Sequence, residues 1–262
     1  MIKISGTKWT IEEVEKLKEL SKKYSKYKYI VPHFDRSKSS ITNKMHNLGL
    51  TLLDNVDINF FNRKDEISYY ILGYWFADGC IMYKSGGYYF SIVSNDIEHL
   101  KRIKKEMEIK TKIYENSNDA YEVRVGNKKL INNMIDNFKA DYKKTKIATI
   151  PYDIIPEKHF YDFLRGYFDG DGSINLQKYT VKSGQEKQTL GSLRFTGAKN
   201  IIKSLYEKFP EATLTTDSRK NDCLYLNLFG DEMRNLLTKM YKDSKIYLKR
   251  KYKVYFNQIK NK

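Results

Sequence analysis

Two stretches decide how this chain folds: ILGYWFADG, from Ile71 to Gly79, and LRGYFDGDG, from Leu164 to Gly172. In each, small residues recur four positions apart, Gly73 with Ala77 and Gly166 with Gly170, on one face of a helix. A glycine inside a helix costs about 1 kcal/mol relative to alanine. The expected compensation is a close approach of two helix backbones. If the two helices pack along this face, their C-terminal ends lie side by side and Asp78 and Asp171 converge. A carboxylate at a helix C-terminus faces the negative end of the helix dipole, and two such groups repel. The arrangement asks for a cation, and oxygen-only ligands suit Mg²⁺, with Mn²⁺ as a substitute. For either stretch alone, an Asp that ends a helix and turns into the following Gly is the simpler reading; matching positions in two copies weigh against it.

Outward from these stretches the chain repeats itself, each copy running helix, hairpin, helix, hairpin, helix. In the first copy a helix is expected over 67–77. Strands near 80–84 and 88–94 flank the turn Ser85-Gly86-Gly87, and Asp96 caps a helix to about 107. Strands near 110–115 and 120–125 follow, then a helix after Gly126. The second copy has a helix over 157–169, strands near 173–179 and 189–196, and a helix over 198–208. Strands near 212–217 and 223–229 precede a helix after Gly230, and a final helix spans about 245–259. Ser173, Asn175, Gln177 and Tyr179 alternate with Ile174 and Leu176, and Ser192, Arg194 and Thr196 with Leu193 and Phe195. One face is apolar and packs on helices. The other carries the hydrogen-bonding groups that reading base edges requires, a pattern shared with any solvated face.

Residues 1–50 read as three short helices. Thr10 caps the first, with Glu13 three residues on, and Val14, Leu17 and Leu20 mark its inner face. Pro32 is read as separating it from a short middle helix, and a third helix, Ser37–Leu50, is ended by Gly49. On the third, Ile41, Met45 and Leu48 are expected to face inward and Ser40, Asn43, Lys44 and Asn47 outward. A polar, basic last helix suits a major groove, and a small helical oligomerisation unit is the alternative. The Trp9-Thr10-Ile11-Glu12-Glu13 start resembles Myb-like and helix-turn-helix domains. Residues 51–66 show no sustained period and read as a linker.

The composition narrows the partners. Lys and Arg number 48 against 32 Asp and Glu, a net charge of +16 in 262 residues, which favours a polyanion. With 40% apolar residues the chain can build a core, so wholesale disorder is excluded. No apolar stretch approaches a membrane span. The N-terminus has no long apolar signal core, so secretion is not expected. The two cysteines, Cys80 and Cys223, and the four scattered histidines offer neither a disulfide framework nor zinc-ligand spacing. A reducing cytoplasmic or organellar setting fits.

The two nonapeptides, and the helix–hairpin order around them, resemble the paired motifs of LAGLIDADG homing endonucleases over about residues 67–262. The resemblance implies an α+β fold: two pseudo-symmetric αββαββα halves, 67–150 and 151–262, with saddle-shaped antiparallel sheets astride double-stranded DNA. It implies a monomer that cuts both strands across the minor groove, leaving four-nucleotide 3′ overhangs, with Asp78 and Asp171 as metal ligands. Asp169 matches the family's earlier Asp, but the first copy has Phe76 there, which argues against an essential metal role. The family's lysines near the scissile phosphates carry over to Lys144 and Lys251. Strand alternation puts Lys84, Lys112, Arg124, Asn175, Gln177, Arg194 and Thr196 among the base readers. The termini lack a nucleophile and a His-Asn pair, so an intein context is not expected. A non-cleaving transcriptional regulator and an RNA maturase on the same scaffold are the alternatives.

Overall fold

The computed structural model describes residues 8–24, 26–50, 52–84, 87–116, 119–138, 149–216 and 222–260. The chain divides into two compact units, Met1–Asn55 and Val56–Lys262.

The first unit contains α1 (Ile11–Lys23), α2 (Tyr27–Ile30) and α3 (Lys38–Asn47). A full capping box starts α1: Thr10 N–H donates to Glu13 Oε2 at 2.9 Å and Glu13 N–H to Thr10 Oγ1 at 3.2 Å. Leu17, Leu20, Ile30, Phe34, Ile41 and Met45 form a core of their own. Arg36 is buried beneath Trp9 and donates twice to Glu13. The third helix stops at Asn47, short of the expected Leu50. Leu48 therefore falls at the C-cap and is 36% exposed rather than inward. The stretch read as a linker is structured where it is described. Leu53 N–H bonds back to Ser21 and Tyr24 carbonyls, while Val56, Phe60 and Phe61 are buried in the second unit.

The second unit holds the repeat. Its first half runs α4 (Glu66–Asp78), β1 (Gly79–Lys84), β2 (Gly87–Ser94), α5 (Ile97–Glu106), β3 (Ile113–Glu115), β4 (Tyr121–Val125) and α6 (Lys128–Phe138). The second half runs α7 (Glu157–Asp171), β5 (Gly172–Thr180), β6 (Glu186–Ala198), α8 (Lys199–Lys208), β7 (Thr213–Thr216), β8 (Cys223–Leu228), α9 (Gly230–Tyr241) and α10 (Lys249–Tyr255). Each half forms a four-stranded antiparallel sheet of matching order, β1-β2-β4-β3 and β5-β6-β8-β7. The final helix begins at Lys249, not near 245, because Leu248 N–H is engaged by a buried carboxylate described below.

The two motif helices, α4 and α7, form the centre. Residues 68–76 of α4 are buried on every side, so this helix is core rather than amphipathic. A Cβ on Gly73 would lie 1.9 Å from the Phe163 carbonyl oxygen, and one on Gly166 1.9 Å from that of Tyr70. The helices therefore meet backbone to backbone. The glycines that follow the acids are equally constrained: a Cβ on Gly79 would strike the Trp75 ring and one on Gly172 the Phe168 ring, both at 2.1 Å.

Because neither carbonyl can retreat, Gly166→Ala is expected to destabilise the second unit by about 3 kcal/mol, at the upper end for overpacking. Urea unfolding followed by circular dichroism measures this; a loss below about 1 kcal/mol would contradict the packing described.

Candidate functional site

Asp78 and Asp171 are the last residues of their helices and both are half-buried. The glycine seam delivers them to one place. A Cβ on Gly170 would meet Ala77 Cβ at 2.4 Å and Asp78 Oδ2 at 3.2 Å, so the Asp78 carboxylate leans over the neighbouring helix end. Both carboxylates bear on the Tyr167 hydroxyl, whose pKa burial first, and these charges second, push well above the usual value. This donor set, carboxylate oxygens from two adjacent helix ends, fits a hard divalent cation. Among the described residues no three His, Cys, Asp or Glu side chains are grouped as metal ligands, so a cation here would keep several waters.

Beside Asp78 opens a cleft of about 610 Å³, lined by Tyr74, Ser94, Asp96, Asp169 and Arg250 among others. Arg250 is exposed and brings positive charge to this wall.

Lys251, the residue that reading the sequence assigned to the scissile phosphates, does something else. It is 3% exposed, and its ammonium donates to the carbonyls of Phe168, Asp169 (2.9 Å) and Gly172 (2.6 Å). All three N–H groups are occupied in capping α7, so none is free for a phosphate. A cation at this end satisfies orphan carbonyls and opposes the helix dipole. Burial is the main influence lowering its pKa, to about 8, and Asp169 acts in the opposite direction.

Asp169 is 1% exposed and accepts from Tyr70 (2.8 Å), Tyr241 (2.5 Å) and the Leu248 N–H (2.7 Å). Burial raises its pKa, while Lys251 and these donors oppose the shift. Its role in the structure is to gather α4, α9 and the chain before α10. Tyr70 gives its single hydrogen to Asp169, so His99 Nε2, 3.0 Å away, donates to the Tyr70 oxygen. That puts a proton on Nε2, and burial, which lowers the pKa to about 4, keeps the imidazole otherwise neutral. Arg165, not singled out from sequence, is 2% exposed. It bonds the carbonyls of Ile246 and Met240, and Glu66 at the start of α4 at 2.9 Å. The signal was present: Arg165 stands where the first nonapeptide has Leu72.

The sheet readers divide. Asn175, Gln177 and Arg194 are exposed on one face of the second sheet, and Thr196 is half-buried there. Arg124 is half-buried on the first sheet. Lys112 is exposed but precedes β3 rather than lying in it, because that strand starts only at Ile113. Lys84 closes β1; its side chain, like the whole of Lys144, lies outside the described residues. On α3, Asn43 and Asn47 are exposed and Ser40 and Lys44 half-buried.

Two measurements probe this centre. Lys251→Ala removes the cation that three carbonyls and the Asp169 charge share, and is expected to cost roughly 3–5 kcal/mol of stability in a denaturant titration. His99 stays neutral in the fold down to about pH 4 but takes up a proton near 6.5 when unfolded. Its contribution is therefore complete above pH 6.5 and is lost as pH falls from 6.5 toward 4, about 3 kcal/mol in all. Unfolding of His99→Gln between pH 7 and 4 should lack that part of the slope; parallel curves for the two proteins would refute it.

Comparison with known proteins bears on the same elements. Residues 65–138 match the family model described as a LAGLIDADG-like domain. The LAGLIDADG homing endonuclease I-LtrWI, solved bound to target DNA, superposes with a TM-score of 0.54 at 16% identity, covering 76% of this chain and 92% of its own. The meganuclease I-SmaMI bound to uncleaveable DNA gives 0.53 at 16% identity, covering 72% and 88%. A curated relative, the probable translation initiation factor IF-2 of Thermococcus kodakarensis, is 27% identical over 209 residues, 75% of this chain, which spans only 17% of that protein's length. The chain carries a LAGLIDADG-like domain in its first half and has the two-half fold of the LAGLIDADG homing endonucleases.

Proposed function

We propose that this protein is a site-specific endonuclease that acts, as a monomer, on double-stranded DNA. The observation that carries the proposal is the convergence of Asp78 and Asp171 on the glycine seam, flanked by two sheets with polar outer faces, in a chain of net charge +16. Asp78 and Asp171 would hold Mg²⁺ or Mn²⁺, which when bound supplies an activated water and stabilises the leaving 3′ oxygen. This chain's residues do the rest. The seam fixes the spacing of the two carboxylates, and hence the stagger of the cuts, read as four-nucleotide 3′ overhangs across the minor groove. Lys251 holds the α7 end rigid and opposes its dipole. Arg250 takes over the phosphate-facing role expected of Lys251, and Lys144 serves the first half. The first unit would add grip on flanking duplex through Ser40, Asn43, Lys44 and Asn47, and joining the modules raises the local concentration of each.

The test is to challenge a randomised duplex library with wild type and Asp171→Asn in Mg²⁺. Discrete double-strand cuts that vanish in Asp171→Asn and Asp78→Asn, with DNA binding retained, are the expected result. Selective retention of DNA without any cut would make the protein a regulator, and tight binding of RNA alone would make it a maturase. On the selected site, Arg250→Ala should lower kcat roughly 10²- to 10³-fold, the usual cost of losing one donor to transition-state charge.

A further inference from the structure

The outer faces of the two sheets differ at one matched crossing. Gly79 pairs with Ile92 in the first sheet and Gly172 with Phe195 in the second, so the registers can be laid over one another. Ser91 then corresponds to Arg194, and Arg124 to Asn227, each pair being opposed across adjacent strands. The arginine has changed strands between the halves.

Its surroundings have changed as well. In the first sheet, Arg124 Nη1 lies 3.8 Å from Glu122 Oε2, and Glu122, buried, also accepts from Ser91 at 2.6 Å. Arg124 also lies over a ring, Tyr114, 4.7 Å from its centroid, so what sets it apart is the carboxylate, which draws that guanidinium down onto the sheet. In the second, Arg194 Nε donates to Asn227 Oδ1 at 2.8 Å, and the guanidinium lies over the Tyr225 ring, 4.6 Å from its centroid. Asn227 is 5% exposed and is itself held by Thr215 Oγ1 at 3.2 Å. A neutral amide and a ring orient the charge without cancelling it. Among the described residues, the two terminal nitrogens of Arg194 make no hydrogen bond. The side chain is exposed, and β6 is an interior strand. Its partner across the strands is Ser173, two residues beyond Asp171.

We propose that Arg194 is a preorganised reader of a single guanine in the half-site covered by the second sheet, with Asn227 and Tyr225 as its positioning residues. The assignment rests on the DNA-cleaving reading given above and deepens it. A planar fork with two free donors and no acceptor matches the one base that offers two adjacent acceptors in the major groove, O6 and N7 of guanine. A phosphate also accepts such a fork, and the variants below separate the two partners. Fixing the guanidinium before DNA arrives removes the ordering cost that a long side chain otherwise meets on binding.

The experiment uses the full chain. A bound or cut site is selected from a randomised duplex library, and affinities are measured for all four bases at every position. Wild type should prefer guanine at one position of one half-site by roughly 5- to 150-fold. Arg194→Ala should erase that preference and leave the others; Arg194→Lys, lacking the fork, should lose most of it. Asn227→Ala should weaken the preference at the same position only. The assignment is overturned if Arg194→Ala weakens every sequence alike and lowers the salt slope by about one, the mark of a phosphate contact. It is equally overturned if the base profile is unchanged. A wild type that selects no DNA sequence would instead overturn the endonuclease reading, and is seen before any variant is made.

Discussion

The contact of two helix backbones at Gly73 and Gly166 is the constraint on which the rest depends. Each glycine lies where any side chain would strike a carbonyl of the opposite helix. That fixes the crossing point of α4 and α7. Because each helix ends five residues later, at Asp78 and Asp171, it also fixes where the two carboxylates stand. Each sheet starts at the next residue, Gly79 or Gly172, so the crossing sets the origin of both sheets as well. One packing decision thus places the acidic pair and both outer faces.

Bringing two helix C-termini together concentrates negative charge and orphan carbonyls in one place, and the chain answers with buried cations. Lys251 binds three carbonyls around the end of α7. Arg165 fills the other end of the seam, joining α7 to Glu66, to the Met240 carbonyl at the close of α9 and to the Ile246 carbonyl beyond it. Asp169 balances Lys251 and collects two tyrosine hydroxyls and a backbone amide. Buried charges are tolerable only when compensated; here Arg165 is ion-paired with Glu66, and Lys251 and Asp169 attract each other while each makes three hydrogen bonds. Asp169 is buried and engaged by three donors, whereas Asp78 and Asp171 stay half-exposed at the two helix ends.

Much of this was legible in sequence because it rests on local periodicity. Small residues four apart, alternating strands and the Asp-Gly junctions gave the helices, the hairpins and the repeat within a few residues. Their limits moved where an end depended on distant partners: α10 starts late because Leu248 is held by Asp169. The same reason hid the polar centre. Lys251 meets its partners about 80 positions back along the chain, and within a run of Lys249, Arg250 and Lys251 nothing local distinguishes the buried cation from the exposed one. Arg165 left a trace: like Asp169, it is a charged residue in a motif whose other copy is apolar at that place. The pinned Arg194 left none, because Asn227 stands on another strand.

The cross-link through Arg165 also has a bearing on biosynthesis. Its partners run from Glu66 to the Ile246 carbonyl, and those of Asp169 reach Leu248. A nascent chain that has emerged only as far as Tyr241 holds the glycine seam but lacks the Ile246 carbonyl, the Leu248 amide and the Lys251 cap. The acidic pair is therefore not locked in place until translation has passed α10, so an interrupted product carries both motifs without the finished centre between them.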